Sequence, residues 1–260
     1  MFRKLILMAA LAAPLPAWAW GVEGHEIVAE IALHELTPAA RGQVAAILGS
    51  DAMLVHDANW ADEIRDQRPE TGPWHFVDIP LNAPGYDAAR DCAGGNCVVA
   101  QIANTRAILA SPQSSASAKQ AALRFLIHLV ADVHQPLHAE DNDDHGGNAI
   151  HVGEGRGRPT LHHVWDTTVV EALGTNVDAV TADIEHSITP QQRKSWEDST
   201  PAQWANESHA LARDVIYPQF HGRTVIRLPP SYGENVAPIV RAQLAKAGVR
   251  LAWLLNITLR

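Results

Sequence analysis

Cysteine is almost absent from this chain: Cys92 and Cys97 are two among 260 residues. A disulfide framework is therefore excluded as the source of stability, and a chain of this length can bury a sizeable core without one. Positive charge is scarce too. Lys and Arg number 20 against 29 Asp and Glu, a formal net charge of -9, which argues against a protein that grips nucleic acid through a broad basic face. A polyanionic substrate stays possible where divalent metals reverse the charge locally in one pocket. Long apolar runs are confined to the start. Arg3 and Lys4 precede an apolar stretch from Leu5 to Leu15, and Ala17-Trp18-Ala19 is a small-x-small site. This is the pattern of a secretory signal peptide over residues 1–19. Nothing later reads as a membrane span. The mature chain, residues 20–260, is expected to begin at Trp20 and to be secreted or periplasmic, without stable membrane association. In such a compartment two thiols separated by Ala-Gly-Gly-Asn read as a small loop-closing disulfide in preference to metal ligands.

Histidine, by contrast, is plentiful: there are 14. The segment 126–138 reads Leu-Ile-His-Leu-Val-Ala-Asp-Val-His-Gln-Pro-Leu-His. Leu123, Leu126, Ile127, Val130 and Val133 recur at helical spacing, while His128 and Asp132 are four apart and share a face. An ionised carboxylate in apolar company needs a compensating cation, and a divalent metal supplies one directly. Pro136 ends the helix and the turn brings His138 back toward the same end. One His-x-x-x-Asp pair is more often a buried hydrogen bond than a metal site. The spacing recurs, however, at His162 and Asp166. Two such pairs, with His138, His75 and Asp62, supply donors for more than one zinc.

The remaining pattern predicts a single, mostly helical, all-α domain with a small β-hairpin and long loops. Helices are expected through residue 36, over 38–48 behind Thr37-Pro38, over 97–110 and 117–134, from 161, and beyond 176 to the end with a break at 218–230. Residues 148–161, around Gly153 and Gly157, suggest the hairpin. Residues 139–148 are polar enough to read as a solvated loop, with spacing unlike a calcium-binding EF-hand. From spacing alone His25 reads as an exposed helix residue and Trp20 as a chain terminus without a fixed place. Asp62 and Arg65 face one site or form a surface ion pair. Trp74-His75-Phe76-Val77-Asp78 is either a packed loop or a ligand, an aromatic face and a carboxylate held together. His186, His209 and His221 read as surface or packing residues. Asn206 and Asn256 head glycosylation sequons that matter only in a glycosylating host.

These stretches are recognisable as a set. Trp-Gly-x-x-Gly-His at the expected mature terminus, Trp-Ala-Asp, His-Phe-x-Asp, Phe-Leu-x-His-x-x-x-Asp-x-His-Gln-Pro-Leu-His, Gly-Gly-Asn and Leu-His-x-x-Trp-Asp occur in that order. The set resembles the zinc-dependent single-strand-specific nucleases, the type I nucleases of fungi and plants often called the S-one/P-one family. Bacterial zinc phospholipase C is a more distant likeness.

The resemblance implies three zinc ions in a cleft. Asp62, His75, His128 and Asp132 would hold one, and His138, His162 and Asp166 a second. The third would take the Trp20 amine and carbonyl, His25 and the other side of Asp132. It further implies a base pocket with Phe76 for stacking, Asp78 for hydrogen bonding, Asn148 near the phosphate and His145 as a second wall. Asp62 and Arg65 would be the catalytic pair; Arg stands where some family members carry Lys. The expected substrates are single-stranded DNA, RNA and 3′-mononucleotides, cut to leave 5′-phosphates, by a monomer. The acidic residues Asp141, Asp143 and Asp144 are expected to repel long polyanions. The rival readings are a zinc phospholipase C, disfavoured by that acidic loop and by Phe76 with Asp78, and an exported zinc-binding protein without turnover, which leaves Arg65 unexplained.

Overall fold

A computed structural model describes residues 20–155, 157–220 and 222–260; the expected signal peptide and His221 lie outside the described residues. The helices are α1 (Gly21–His34), α2 (Pro38–Leu48), α3 (Met53–His56), α4 (Trp60–Glu63), α5 (Ala88–Asp91), α6 (Val98–Ala110), α7 (Ala116–Asp132), α8 (Leu161–His163), α9 (Val169–Glu171), α10 (Val177–Ser187), α11 (Pro190–Trp196), α12 (Pro201–Leu211) and α13 (Tyr232–Thr258). Single 3₁₀ turns at Pro69–His75 and Pro136–His138 matter for the site. Between α8 and α9 the helix widens into a π turn, Val164–Thr168. The chain is thus a mostly helical single domain, as its patterning predicts.

Helix α7 is the axis of the molecule. Ser115 caps its start by accepting from the Ala118 amide at 3.1 Å, satisfying a donor that the first turn leaves unpaired. Its second half, from Phe125 to Asp132, is buried at every position, so it is surrounded rather than half-exposed. Helices α1, α2, α4, α6 and α13 all pack against it. The carbonyls at its C-terminal end, which lack helical partners, are met by side chains from elsewhere. Trp20 Nε1 donates to Ala131 O at 3.0 Å, Ser208 Oγ to Val133 O at 2.6 Å and Gln243 Nε2 to His134 O at 2.8 Å. The end of α7 is therefore fixed by the start of α1, by α12 and by α13.

Two expectations need correction. The hairpin at 148–161 survives as one antiparallel bridge, His151 to Thr160, with Val152 N donating to Pro159 O and Leu161 N to Ile150 O. The strand pair proper is parallel, β1 (His151–Val152) against β2 (Val225–Ile226). The glycine-rich turn closes only a narrow loop, and the unpaired edge of β1 is covered by a segment too distant in sequence for local patterning to reveal.

The loop after His138 is also not simply solvated. Glu140 and Asp144 are buried, and the Tyr217 hydroxyl lies 2.6 Å from Glu140 Oε1 and 2.8 Å from Asp144 Oδ1. One phenol proton cannot serve both acids, so the contact to Glu140 favours a proton on its carboxyl. Burial, then the neighbouring Asp144, Asp141 and Asp78, pushes Glu140 well above the usual carboxylate range. Asp144 is accordingly not part of a repelling rim. Across the same loop, Val77 N donates to His138 O, Asp141 N to Ile79 O and Leu81 N to Asp141 O, tying residues 77–81 to 138–141.

Candidate metal centre and base pocket

The candidate ligands are delivered by several elements that are separate in sequence. His25 comes from α1, Asp62 from α4, His75 from the end of a 3₁₀ turn, and His128 and Asp132 from α7. His138 closes the turn after Pro136, and His162 and Asp166 flank the point where α8 opens into the π turn. Widened turns of this kind occur frequently at functional sites. His25, His75, His128, Asp132, His138, His162 and Asp166 are all buried. From spacing alone His25 is an exposed helix residue and Trp20 has no fixed place; in the fold both are buried. The reason lies far away in sequence, in the Ala131 carbonyl that the Trp20 indole reaches.

Two glycines of the recognised motifs have steric explanations. A Cβ on Gly24 would lie 2.7 Å from the Trp20 Cβ, so the fold-back of Trp20 onto α1 requires glycine there. Gly146 has a φ of +63°, and a Cβ on it would meet Leu137 O at 2.7 Å and the His162 ring at 3.2 Å. Both observations favour glycine on conformational and spatial grounds.

The hydrogen bonds of the imidazoles set their direction. His25 Nδ1 is 2.9 Å from Gly21 O, His128 Nδ1 2.8 Å from Ala58 O, His138 Nδ1 2.8 Å from His75 O and His162 Nδ1 2.6 Å from Gly146 O. A carbonyl only accepts, so each Nδ1 carries a proton and each ring turns Nε2 inward, where its neutral form offers a lone pair. These lone pairs then face other acceptors. His138 Nε2 and His162 Nε2 are 3.2 Å apart, His25 Nε2 is 3.3 Å from Asp132 Oδ1, and His128 Nε2 is 3.3 Å from Asp132 Oδ2. Both oxygens of Asp62, with Nε2 of His75 and of His128, are buried without a hydrogen-bond partner. Buried acceptors facing one another are costly unless cations lie among them. The donor set therefore fits metal.

Among the described residues, three groups have ligand atoms mutually within 4.8 Å: His25, His128 and Asp132; Asp62, His75 and His128; His138, His162 and Asp166. The last reproduces one expected set. The other two share His128, whose single inward nitrogen can serve one ion only. Asp132 divides differently, with Oδ1 toward His25 and Oδ2 toward His75 at 3.0 Å and His128.

Electrostatics distinguish the groups. Burial pulls the His128 imidazole down, but Asp132 and Asp62 outweigh it and lift its pKa to about 9. Burial likewise opposes ionisation of Asp132, yet His128, His25 and His75 hold its carboxyl well below the usual range. On the other side, burial depresses His138 to about 4 and His162 to about 3 and pushes Asp166 well above the carboxylate range.

Directly over His75, His138 and His162 lies a cavity of about 210 Å³ that is also lined by Arg65, Phe76, Asp78, His145 and Asn148. Five residues assigned to substrate or catalysis by resemblance thus meet at one opening. Burial and Asp141 raise Asp78, and His145 opposes them. The Asn148 amide donates to His145 O at 2.9 Å and so braces the loop it belongs to. Glu140 joins this lining, a residue that nothing in the local pattern singles out. Beneath Phe76, Val98 N donates to its carbonyl, and Trp74 Nε1 donates to Asn96 Oδ1. The Cys92–Cys97 disulfide is formed and closes that supporting loop. His209 is buried against Pro80 O and His186 is exposed, neither near the centre. Asn256 bonds Thr37 N and Glu35 O with its amide, so its sequon is occupied structurally.

Inward-facing imidazoles and carboxylates under a cavity of this size make a helical protein able to hold metal beside a small-molecule opening. Residues 20–260 match the family described as S1/P1 Nuclease. The chain is 33% identical to "Nuclease S1" of Aspergillus oryzae, over 96% of this chain and 95% of that protein. It is 32% identical to "Nuclease P1" of Penicillium citrinum (91% and 97%) and 34% identical to "Endonuclease 2" of Arabidopsis thaliana (91% and 89%). The chain belongs to the S1/P1 nuclease family and is a nuclease, a hydrolase of phosphodiester bonds.

Proposed function

We propose that residues 20–260 form a secreted or periplasmic, monomeric, zinc-dependent nuclease that hydrolyses single-stranded DNA and RNA to 5′-phosphorylated products and removes phosphate from 3′-mononucleotides. The observation that carries this reading is the inward convergence of unpartnered Nε2 and carboxylate atoms beneath a cavity with an aromatic wall. Asp62, His75, His128 and Asp132 would hold one zinc, His138, His162 and Asp166 another, and His25, the second oxygen of Asp132 and the Trp20 amine and carbonyl a third. The amine exists as such only after removal of residues 1–19, which we read as a signal peptide. The disulfide and the lack of any membrane-crossing helix among the described residues are consistent with export.

Bound zinc supplies a water of lowered pKa and Lewis acidity toward phosphoryl and leaving oxygens. The protein supplies orientation. Asp62, with both oxygens free of protein hydrogen bonds, orients the attacking water in line with the bond to the 3′ oxygen. Arg65, on the cavity wall, presents a planar guanidinium to the phosphoryl oxygens as charge builds on them. Phe76 stacks on the base, Asp78 accepts from its edge, and Asn148 and His145 close the far side. A cavity below the roughly 300–1,000 Å³ of drug-sized sites admits one unstacked base, which disfavours stiff duplex.

Elemental analysis of the mature protein, paired with digestion of single-stranded DNA, duplex DNA, RNA and lecithin, tests the reading. Nucleotide release that stops with chelator and returns with zinc is expected. Phosphocholine release would favour the phospholipase alternative, and metal binding without any turnover would favour a storage role.

A further inference from the structure

The motif His-Gln-Pro-Leu-His contributes His138 to the metal centre but leaves Gln135 without a role. Its side chain is fully buried and reaches in two directions at once. Gln135 Oε1 accepts from Leu137 N at 2.6 Å, capping the 3₁₀ turn that ends at His138. Gln135 Nε2 donates to Asp166 Oδ1, also at 2.6 Å, from 31 residues away in sequence. The second Asp166 oxygen, Oδ2, is the one 3.2 Å from His162 Nε2. One amide therefore joins the turn carrying His138 to the π turn carrying Asp166, and it occupies one carboxylate oxygen while leaving the other beside the imidazole.

We infer that Gln135 is a positioning residue that assembles the His138, His162 and Asp166 subsite and selects the Asp166 oxygen offered to the ion. This rests on the metal reading above. The Gln135 N–H is a neutral donor that holds one carboxylate oxygen in place without competing for the ligand position. Glutamine suits both tasks because it carries a donor and an acceptor on one planar group.

The test compares zinc affinities of metal-stripped wild type, Q135M, D166N and the double variant, by competition with a chromogenic chelator, with circular dichroism of each stripped protein. Methionine keeps the length and removes both bonds. Q135M is expected to retain the stripped-protein spectrum and to weaken one zinc by about 10–100-fold, the usual effect of losing an outer-shell partner, with the other ions unaffected. The double variant is expected to lose less than the two single losses combined, because the bond between Gln135 and Asp166 is common to both. Wild-type affinity in Q135M, losses that add in the double variant, or a Q135M chain that unfolds when stripped would each overturn the assignment. Wild type that binds no zinc overturns the metal reading itself and is distinguishable from all of these.

Discussion

The indole of Trp20 donates to the carbonyl of Ala131 across 111 residues of chain. The neighbour of that carbonyl is Asp132, so one hydrogen bond places the start of α1 beside the carboxylate that faces two imidazole groups. Trp20→Phe keeps most of the apolar area and removes the N–H, leaving Ala131 O with the His134 amide at 3.0 Å as its remaining donor. It is expected to cost about 0.5–1.5 kcal/mol of stability and to loosen the ion nearest His25. Denaturant midpoints with and without zinc check both parts; an unchanged midpoint would mean that the bond is incidental. A form in which residues 1–19 cannot be removed should bind one zinc fewer by elemental analysis, and equal stoichiometry would remove the terminal amine from the ligand set.

Asp132 has His25, His75 and His128 within 3.3 Å. Asp132→Ala is expected to empty two subsites together and to lower activity by more than the roughly 100-fold that accompanies loss of an outer-shell partner. Thermal stability in zinc should fall in parallel. A variant that keeps near-wild-type activity would be fatal to a bridging role.

Zinc binding should depend on pH with a sign set by His128. In the metal-free protein its proton is held to about pH 9, so an ion taking that nitrogen must displace the proton. Apparent affinity at the Asp62, His75 and His128 group should therefore rise about tenfold per pH unit between 6.5 and 9. Folding of the stripped protein runs the other way. A raised imidazole pKa contributes stability that is fully present below about 6.5 and lost as pH climbs through 9. Calorimetry in buffers of different ionisation enthalpy counts the released proton, and a flat affinity from pH 6.5 to 8.5 contradicts the assignment.

What the sequence shows and hides follows from how far each contact reaches. His128 with Asp132 and His162 with Asp166 are legible because helical geometry places them together before any tertiary contact forms. The Thr37-Pro38 start and the Ser115 cap are legible for the same local reason. Trp20, Glu140 and Gln135 are not, since their partners Ala131, Tyr217 and Asp166 are contributed by other elements. Burial of Glu140 and Asp144 runs against their polarity, and the phenol that joins them comes from more than 70 residues away. The parallel pairing of β1 with β2 is hidden likewise, because its partner begins at Val225.

The turn that follows α7 is held by a charged network whose acid sensitivity can be measured. Glu207 receives Arg250 Nη2 at 2.7 Å and Lys246 Nζ at 2.9 Å, and Arg250 Nη1 in turn donates to His134 Nε2 at 2.8 Å. Burial opposes ionisation of Glu207, but Arg250 and Lys246 prevail and bring its pKa from 4.5 down to about 2. A depressed carboxylate pKa gives stability that is present above about 4.5 and lost as pH falls toward 2. His134 adds to the trend, since burial and Arg250 hold it neutral well below its ordinary range. Glu207→Gln should therefore destabilise the protein at pH 6 and narrow the gap between urea midpoints measured at pH 6 and pH 3. Zinc content at pH 7 should stay at the wild-type value, because Glu207, Arg250, Lys246 and His134 are in none of the three ligand groups. An E207Q midpoint that falls between pH 6 and pH 3 as steeply as wild type would show that the acid sensitivity arises elsewhere in the fold.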